Sequence, residues 1–381
     1  MKILDAPLPA AAAATATPPD AVRRIATEQL APLAEKIDRE GLYPRDILRQ
    51  LGEAGAYRAH MAAPRGGADY ALAIRSMAQV SQVCMSTGFM MWCQDVCALY
   101  IEQSGNAALI GRRLDTHLAG AGLGGTGLSN PMKTFAGIET MLLKARPVAG
   151  GYVVNGTLPW VSNIGPGHYF GAVAQVEAGA GAAARDFMFL LDCDAPGVSL
   201  KHCPTFSGME GTGTYSVRAT DLFIGVDDLI ADPVAPYIKR IKGAFILLQT
   251  GMALGVVQGA IDSMWQVEPQ LGHVNQYLED RPDELQGEAD ALAQRIFRLA
   301  ASPFDGSRDY LLDVLDARAH GAELSLRATQ SALLHQGARG YLMSAAPQRR
   351  IREAHFVAIV TPAIKHLRKE MARLCTQELP A

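Results

Sequence analysis

The pattern of apolar residues changes twice along this chain, and the order of these changes constrains its fold more than any single motif. From about Asp20 to Leu118 apolar residues recur at helical spacing. Between Gly122 and Pro233 the apolar runs shorten and glycine, threonine, valine and proline become frequent, which is typical of strands joined by turns. Helical spacing returns from Tyr237 to the end. A chain that is helical, then β, then helical belongs to the α+β class.

The two changes predict four segments. We expect a flexible tail at 1–20, an N-terminal helical domain at 21–120, a central β domain at 121–234 and a C-terminal helical bundle at 235–381. A chain of 381 residues is too long for one simple domain, so several units are expected on length alone. Prolines interrupt the tail, which therefore lacks the unbroken apolar core of a signal peptide.

Composition narrows the classes of function. The chain has 35 Lys and Arg against 38 Asp and Glu, a net charge of -3, so bulk electrostatics favours neither nucleic acid nor an anionic membrane surface. Its 6 cysteines form no C-x-x-C pair and no H-E-x-x-H occurs, so we expect no metal site and a reducing, cytoplasmic location. The apolar run from Gly243 to Trp265 contains Gln249 and Gln258, which favours a buried bundle helix over a membrane span.

The stretch A-G-L-G-G-T-G-L-S-N-P contains the pattern G-x-G-x-x-G at Gly122, Gly124 and Gly127. In a dinucleotide-binding unit this pattern follows a strand, opens a helix directly, and precedes an acidic residue by ~20 positions. Pro131 disfavours a helix directly after the glycines, and 141–151 contains neither Asp nor Glu. We therefore interpret the stretch as a glycine-rich strand or loop.

The β domain carries one strong turn signal. Residues 151–157 are typical of a strand that enters a hairpin turn at Asn155 and Gly156, because Asn-Gly is the pair most typical of two-residue hairpins. Residues 187–191 and 217–224 are further predicted strands.

Six segments, in a fixed order along the chain, carry a family resemblance. They read L-S-N-P at 128–131, G-G-Y-V-V-N-G-T-L-P-W-V-S-N at 150–163, G-M-E-G-T-G-T at 208–214, D-L-F-I-G-V at 221–226, A-L-G-V-V-Q-G-A at 253–260 and Q-G-A-R-G-Y at 336–341. They resemble, in turn, the Thr-Glu-Pro turn, the Trp-Ile-Thr-Asn strand, the Gly-Leu-Arg-Gly-Ser segment, the Asp-Val-x-Val-Pro strand, the first long C-terminal helix and the Gly-Gly-x-Gly-Phe turn of the acyl-CoA dehydrogenase family. The resemblance spans about Asp20 to Leu374.

The resemblance implies a fold with an N-terminal helical domain, a central β-barrel or sandwich domain and a C-terminal four-helix bundle. It also implies FAD, held between the β domain and the bundle and not in a Rossmann unit, and a homodimer or homotetramer. The expected activity is that of an FAD-dependent oxidoreductase that passes a hydride from an acyl-CoA-type thioester, a small-molecule substrate, to nitrogen N5 of the flavin.

The resemblance also implies which residues hold the cofactor. Trp160 would pack against the flavin ring, since a large aromatic offers stacking area at low entropy cost. Ser162 would hydrogen-bond near N5, as a compact donor and acceptor. The full set of predicted cofactor-binding residues is Leu128, Ser129, Trp160, Val161, Ser162 and Gly337.

The catalytic base of the family is missing. The family carries a Glu directly after the helix that corresponds to 352–360, and that position here is Thr361, whose hydroxyl cannot act as a base at neutral pH. Some members carry the Glu on the first long C-terminal helix, but 244–248 reads A-F-I-L-L. His355 is the nearest titratable residue, and we expect a packed or surface histidine there because it lies on another face of the helix.

Two further departures concern CoA and the subunit contact. The family carries Gly-Ser-Asp near the thioester where 133–136 reads K-T-F-A, and 272–276 lacks the Arg-x-x-Phe-Gly motif that reaches the partner's FAD. The predicted substrate pocket includes Gln94, Phe135 and Thr361. The catalytic residue itself stays unassigned.

These departures leave three functions open. The first is an acyl thioester dehydrogenase whose base comes from an unusual position. The second is a flavin-dependent monooxygenase or oxidase on the same fold, which needs no α-proton base. The third is a non-redox, lyase-like member that keeps the flavin as a structural element.

Overall fold

The computed structural model describes residues 18–177 and 184–376, in which helices, then strands, then helices follow one another. The predicted order of helical and β segments is therefore confirmed. Residues 1–17 of the predicted tail lie outside the described residues. Pro18 to Asp20, assigned to that tail, instead form the first turn of a helix.

The N-terminal region is built around one completely buried helix. Its helices are α1 (Pro18–Arg24), α2 (Ala34–Glu40), α3 (Arg45–Glu53), α4 (Tyr70–Val83), α5 (Met85–Gln103) and α6 (Ala107–Leu118). Every residue of α5 from Met85 to Ile101 is buried, so this helix is surrounded by protein on all sides. Side chains define the starts of its neighbours, since Asp69 accepts from the N–H of Leu72 at 2.8 Å at the beginning of α4.

The central region is one mixed sheet. Its strands are β1 (Gly124–Thr126), β2 (Leu143–Val148), β3 (Gly151–Val161), β4 (Tyr169–Val176), β5 (Arg185–Asp192), β6 (Val198–His202), β7 (Tyr215–Gly225) and β8 (Leu229–Ala231), with helix α7 (Ser129–Phe135) between β1 and β2. The strand order is β6-β7-β3-β2-β4-β5-β8, and β1 pairs with β4. β4 runs parallel to β1 and β2, and the other pairs are antiparallel.

The sheet curls around its own apolar core. Tyr152 on β3 stacks on Phe187 on β5 with ring centroids 4.1 Å apart, although two strands separate β3 from β5 in the sheet. Val154, Phe170 and Phe189 belong to the same core. This arrangement is the one expected of a barrel or sandwich domain.

The opposite face of β4 and β5 packs on the helices. Tyr169, Val173, Met188 and Leu190 lie in the same apolar cluster as the residues of α5 and of the C-terminal bundle. The sheet is therefore fixed to the helical part of the protein, and the ends of its strands meet helices where the candidate site lies.

The predicted hairpin at Asn155 and Gly156 is wrong. β3 continues through both residues, and its register with β7 shifts at this point, which marks a bulge. The side chain of Asn155 accepts from the backbone N–H of Asp221 at 2.8 Å, so it bonds across the sheet and makes no turn of its own. The tight turn joins β2 to β3 at Ala149 and Gly150, where Gly150 has φ +80.

The glycine-rich stretch forms β1, and its glycines allow close packing. A Cβ at Gly124 would lie 2.8 Å from Sγ of Cys97, and one at Gly125 would lie 2.3 Å from the carbonyl oxygen of Ser162. The interpretation as a glycine-rich strand is therefore confirmed. The expectation that Pro131 disfavours a helix here is wrong, because Pro131 occupies the first turn of α7, where its missing N–H is not needed.

The C-terminal region is a helical bundle. Its helices are α8 (Val234–Leu248), α9 (Thr250–Asn275), α10 (Pro282–Leu299), α11 (Arg308–Gln336), α12 (Ala346–Ile359) and α13 (Ile364–Thr376). The run Val234–Asn275 is long and apolar enough to cross a membrane, but its apolar window is 100% buried within the protein, as in a core helix. A Cβ at Gly255 of α9 would lie 2.3 Å from the carbonyl oxygen of Ala78, so glycine lets α9 lie directly against α4.

Candidate functional site

A cavity of about 550 Å³ lies where the end of β3 meets the helices. This volume is within the ~300–1,000 Å³ typical of small-molecule sites. We call the lining residues Trp160, Ser162, Thr212 and Thr214 the sheet wall, and Ser129 and Thr361 the helical wall.

Four aromatic side chains form an apolar floor. Phe356 meets Phe89 edge-on with ring centroids 4.7 Å apart, and Phe89 stacks on Trp92 at 5.7 Å. Trp92 in turn meets Phe245 edge-on at 5.2 Å. The indole N–H of Trp92 is buried and has no hydrogen-bond partner among the described residues. The floor therefore suits an apolar group.

Strand alternation decides which side chains of β3 line the cavity. Trp160 is 60% exposed and lines the cavity together with Ser162. Val161, which lies between them, is buried in the core of the sheet. Trp160 and Ser162 thus lie together at the cavity, whereas the side chain of Val161 does not reach it.

The sheet wall contains a row of three hydroxyl groups. The Oγ of Ser162 lies 2.7 Å from Oγ1 of Thr214, and Oγ1 of Thr214 lies 2.8 Å from Oγ1 of Thr212. Thr212 donates to the carbonyl oxygen of Met209 at 2.7 Å. The row therefore ends on the backbone of the 208–214 loop, which the sequence did not identify as part of a polar network.

The helical wall is a hydroxyl pair from two distant segments. The Oγ of Ser129, at the start of α7, lies 2.9 Å from Oγ1 of Thr361, which follows α12. Both residues were predicted for this site from the resemblance, Ser129 for the cofactor and Thr361 for the substrate pocket, and the structure brings them into contact.

A buried arginine supports the turn at Thr361. Gln249 donates from Nε2 to the carbonyl oxygen of Thr361 at 2.9 Å and accepts from Nε of Arg318 at 3.0 Å. Arg318 also donates to the carbonyl oxygen of Val357 at 2.7 Å. Burial lowers the pKa of Arg318 to about 10. The helical wall is thus held from behind by a desolvated cation.

Gln94 lies behind the sheet wall. The prediction that it lines the substrate pocket is wrong. It is fully buried on α5, donates to the carbonyl oxygens of His117 and Gly122 at 3.0 and 2.8 Å, and accepts from the N–H of Gly124 at 3.0 Å. Its amide therefore fixes β1, because the first strand has few neighbours to satisfy its backbone groups.

Neutral groups complete this support. Asn163, which follows Ser162, donates to the carbonyl oxygen of Gly124 at 2.7 Å and accepts from the hydroxyl of Tyr43 at 2.7 Å. His117 bonds the carbonyl oxygen of Gln94 at 2.8 Å, and burial lowers the pKa of His117 to about 4. The support of the sheet wall is therefore uncharged at neutral pH.

None of the described residues that line the cavity is Asp or Glu. Its titratable side chains are those of Cys93, Lys133, Arg352 and His355. Lys133 pairs with Glu139 at 2.5 Å, and Arg352 forms two bonds with Asp38 at 2.7 and 2.5 Å. Burial raises the pKa of the Cys93 thiol well above its usual range. The described residues also contain no group of three or more potential metal ligands.

His355 is exposed, in agreement with the expectation of a packed or surface histidine, and it lines the cavity. Its Nδ1 lies 2.7 Å from the carbonyl oxygen of Ile351 on the same helix. A carbonyl oxygen can only accept, so in the neutral ring Nδ1 carries the hydrogen and Nε2 carries the lone pair. His355 is thus the titratable lining residue whose basic nitrogen has no described partner.

Phe135 lines a second groove of about 550 Å³ and not the cavity itself. α7 is a short helix, and Phe135 at its end faces α8, α11 and α13. Four cations share this groove: Lys239, Lys242, Arg308 and Arg373. Arg373 at 2.9 Å and Lys242 both bond Glu370 and lower its pKa to about 2.

The remaining predicted cofactor residues lie apart from the cavity lining. The side chain of Leu128 is buried, and its N–H bonds Oγ1 of Thr126 at 3.3 Å, so it supports Ser129 from below. Gly337 lies in an exposed turn after α11, with φ +59. Its conformation favours glycine, and the turn is part of the surface.

The sequence does not identify the aromatic floor or the hydroxyl row. Phe89, Trp92 and Phe245 have the spacing of ordinary core residues in apolar helices. The signal that was present for Thr212 and Thr214 is the segment resemblance at 208–214, which identified the loop but not its hydroxyl groups.

The N-terminal region matches a family model. Residues 18–121 match the acyl-CoA dehydrogenase N-terminal domain. Over 363 residues, 89% of this chain and 91% of the other, the sequence is 23% identical to the short-chain specific acyl-CoA dehydrogenase of Clostridium acetobutylicum.

Solved structures share the complete fold. Butyryl-CoA dehydrogenase from Megasphaera elsdenii is 16% identical with a TM-score of 0.82, and the likeness covers 97% of this chain and 100% of that one. Nitrososynthase from Micromonospora carbonacea var. africana is 17% identical with a TM-score of 0.79, covering 98% and 99%. At these identities the likeness shows the fold, which confirms the predicted class, and enzymes with different chemistries share it.

Proposed function

We propose that this chain, whose residues 18–121 match the acyl-CoA dehydrogenase N-terminal domain and which shares the complete fold, belongs to that family and is an FAD-dependent oxidoreductase acting on an acyl thioester. The observation that carries the proposal is the cavity between sheet and bundle. One wall presents an exposed tryptophan and hydroxyl groups, and the floor is aromatic and apolar.

The residues present fit a flavin ring. A flavin is flat, with apolar faces and an edge of nitrogen and carbonyl oxygen atoms. Trp160, at 60% exposure, offers a large and mostly exposed flat surface. Ser129 and Ser162 offer hydroxyl groups for the polar edge.

These residues would hold the cofactor in distinct ways. Trp160 would contact the ring, and Ser129 and Ser162 would bond its edge, while Leu128 and Val161 fix the backbone beneath them. A bound flavin supplies a two-electron acceptor for a hydride. The aromatic floor excludes water from the acyl group that lies against it.

The second groove supports a substrate carried on a phosphate-bearing thioester such as CoA. α7 places Lys133 in the cavity and Phe135 in the groove, and α8 places Phe245 in the cavity and Lys242 in the groove. On a helix these pairs are only ~3–5 Å apart along the axis. Lys242 and Arg373 already bond Glu370, but the groove keeps a net positive charge that suits a phosphate group, so Phe135 would contact the carrier and not the acyl chain.

His355 is the base that this reading requires. Removal of an α-proton needs a basic group beside the substrate. Lys133 and Arg352 are held in ion pairs and Cys93 stays a neutral thiol, so Nε2 of His355 takes the role that Thr361 cannot fill.

A second candidate function is that of a flavin-dependent monooxygenase or oxidase. The observation that favours it is the lack of any carboxylate among the described cavity residues, because oxygen chemistry needs no α-proton base. The shared fold with a nitrososynthase is compatible with this alternative.

The two functions separate in an anaerobic titration. Protein loaded with FAD is mixed with short- and medium-chain acyl-CoAs, and the visible flavin absorbance is followed. Bleaching supports the dehydrogenase. No bleaching, with rapid oxygen consumption after chemical reduction, supports the oxygen-using enzyme. The absence of both bleaching and oxygen consumption would support a non-redox member.

His355→Gln tests the base in the same experiment. We expect the bleaching rate to fall at least ~100-fold, the lower range for removal of a general base. The exposed His273→Gln, away from the cavity, is the matched control and should leave the rate unchanged. Equal rates in both variants would remove His355 from the mechanism.

Lys239→Glu tests the carrier. The rate with acyl-CoA should fall about tenfold, because a positive charge that attracts the phosphate is replaced by a negative charge that repels it. The rate with the same acyl group on N-acetylcysteamine, which has no phosphate, should not change. A drop with both thioesters would place Lys239 outside a phosphate site.

A further inference from the structure

The hydroxyl row of the sheet wall has a fixed direction. Its three contacts are Ser162 to Thr214 at 2.7 Å, Thr214 to Thr212 at 2.8 Å, and Thr212 to the carbonyl oxygen of Met209 at 2.7 Å. Two oxygen atoms this close need one hydrogen between them. Each hydroxyl supplies one hydrogen and the carbonyl supplies none.

Only one assignment satisfies all three contacts. Thr212 donates to Met209, so Thr212 must accept from Thr214, and Thr214 must accept from Ser162. Every hydroxyl hydrogen in the row is then used. The Oγ of Ser162, at the cavity end, has no hydrogen left to donate and presents only lone pairs to a ligand.

The loop holds the accepting end of the row in place. Met209 has φ +68, a left-handed conformation that is unusual for a residue with a side chain. The N–H of Asn163 bonds the carbonyl oxygen of Thr212 at 2.9 Å, and the N–H of Ile164 bonds that of Gly213 at 3.1 Å. The row therefore belongs to the end of β3 and does not turn freely.

We propose that Ser162 is an obligate hydrogen-bond acceptor, set by Thr214 and Thr212, that selects a ligand presenting an N–H at this point of the cavity. The inference rests on the proposed function, in which the ligand is a flavin. The oxidised ring has an unprotonated nitrogen at N5, and the reduced ring carries a hydrogen there. With N5 at Ser162, as the family resemblance implies, the row would favour reduced over oxidised flavin.

Breaking the row changes Ser162 from a hydrogen-bond acceptor into a possible donor. In Thr214→Val the hydrogen of Ser162 has no acceptor within the row and turns toward the cavity, so Ser162 can donate to an unprotonated nitrogen. In Thr214→Ser the hydroxyl and the direction are kept. Ser162→Ala removes the acceptor without touching the loop. Thr214 and Thr212 are positioning residues in this scheme.

The test is the ratio of the dissociation constants of oxidised and reduced FAD, measured anaerobically on the full chain. We expect the preference for reduced FAD to fall about tenfold in Thr214→Val, which for a two-electron couple lowers the midpoint potential by about 30 mV. Ser162→Ala should show a loss of the same sign. Thr214→Ser should stay within about twofold of the parent protein.

The outcomes distinguish this inference from the function beneath it. A parent protein that binds neither form of FAD contradicts the proposed function, and the inference with it. FAD binding with equal ratios in Thr214→Val and Thr214→Ser contradicts the inference alone. If Thr214→Val does not fold, Ser162→Ala decides, and an unchanged ratio there overturns the acceptor role.

Discussion

The two walls of the cavity use the same chemical group in different ways. The sheet wall has three hydroxyl hydrogens and three contacts that consume them, so Ser162 can only accept. The helical wall has two hydroxyl hydrogens and one contact, between Ser129 and Thr361, so one hydrogen stays available to a ligand. The difference teaches that the groups behind a hydroxyl decide whether it donates.

The supports of the two walls differ as well. Gln94, Asn163 and His117 behind the sheet wall are neutral, and their hydrogen bonds go to backbone groups and to the hydroxyls of Tyr43 and Tyr169. Behind the helical wall Gln249 is hydrogen-bonded both to Thr361 and to Arg318, a buried cation. Acid pH should therefore weaken the support of the sheet wall and leave the support of the helical wall unchanged.

The largest effect is expected for Gln94→Leu. The carbonyl oxygen of Gly122 and the N–H of Gly124 lose their partner, while the carbonyl oxygen of His117 keeps the N–H of Gly120. Each lost partner costs ~1–3 kcal/mol, so the free energy of unfolding should fall by about 2 kcal/mol or more. Gln103→Leu, at the end of the same helix and half-buried, should change it by less than ~0.5 kcal/mol. Urea unfolding measures both, and similar values for the two variants would show that Gln94 does not support the wall.

For Gln94 the sequence could predict the secondary structure but not the contacts of the side chain. Helical spacing places this residue on a helix, and the resemblance placed it in the pocket, but neither shows that β1 lies against it. That contact depends on Gly124 and Gly125, whose lack of a side chain lets the strand approach. Because this contact joins segments that lie far apart in the chain, the local sequence pattern does not predict it.

The same reasoning applies to the rest of the site. Trp160 and Ser162 were predictable, because strand alternation and a specific segment resemblance agree on them. Phe135 was placed by alignment alone, and the seven-residue helix that turns it into the second groove was not expected. The direction of the hydroxyl row depends on Met209 at positive φ, a conformation that its side chain does not predict.

The next effect is the pH dependence of stability. Burial lowers the pKa of His117 to about 4 from 6.5, so between these values the unfolded chain binds more protons than the folded one. Stability contributed by neutral His117 is present above pH 6.5 and is lost as the pH falls toward 4, by about 3 kcal/mol in total.

His117→Gln isolates this contribution. The slope of unfolding free energy against pH should decrease by one proton, ~1.4 kcal/mol per pH unit. His60, whose pKa burial also lowers to about 4, should keep its own share of the slope. A variant with the slope of the parent protein would show that His117 does not remain neutral in the fold.

A smaller effect is expected for Ser129→Ala on the helical wall. It removes one hydroxyl of the pair, a loss of ~1 kcal/mol, so FAD affinity should fall about fivefold. The carbonyl oxygens of a flavin accept in both redox states, so oxidised and reduced FAD should be affected alike. A change in the ratio of the two dissociation constants, as predicted for Ser162→Ala, would show that the two walls do not differ in this respect.

The most direct test of the account is equilibrium binding of FAD, followed by quenching of flavin fluorescence. We predict one FAD for each chain, with affinity at least tenfold weaker in Trp160→Ala and unchanged in Phe223→Ala, a 55% exposed aromatic on the neighbouring strand β7. Absence of FAD binding to the parent protein, or equal loss in both variants, would contradict the claim that this cavity holds a flavin.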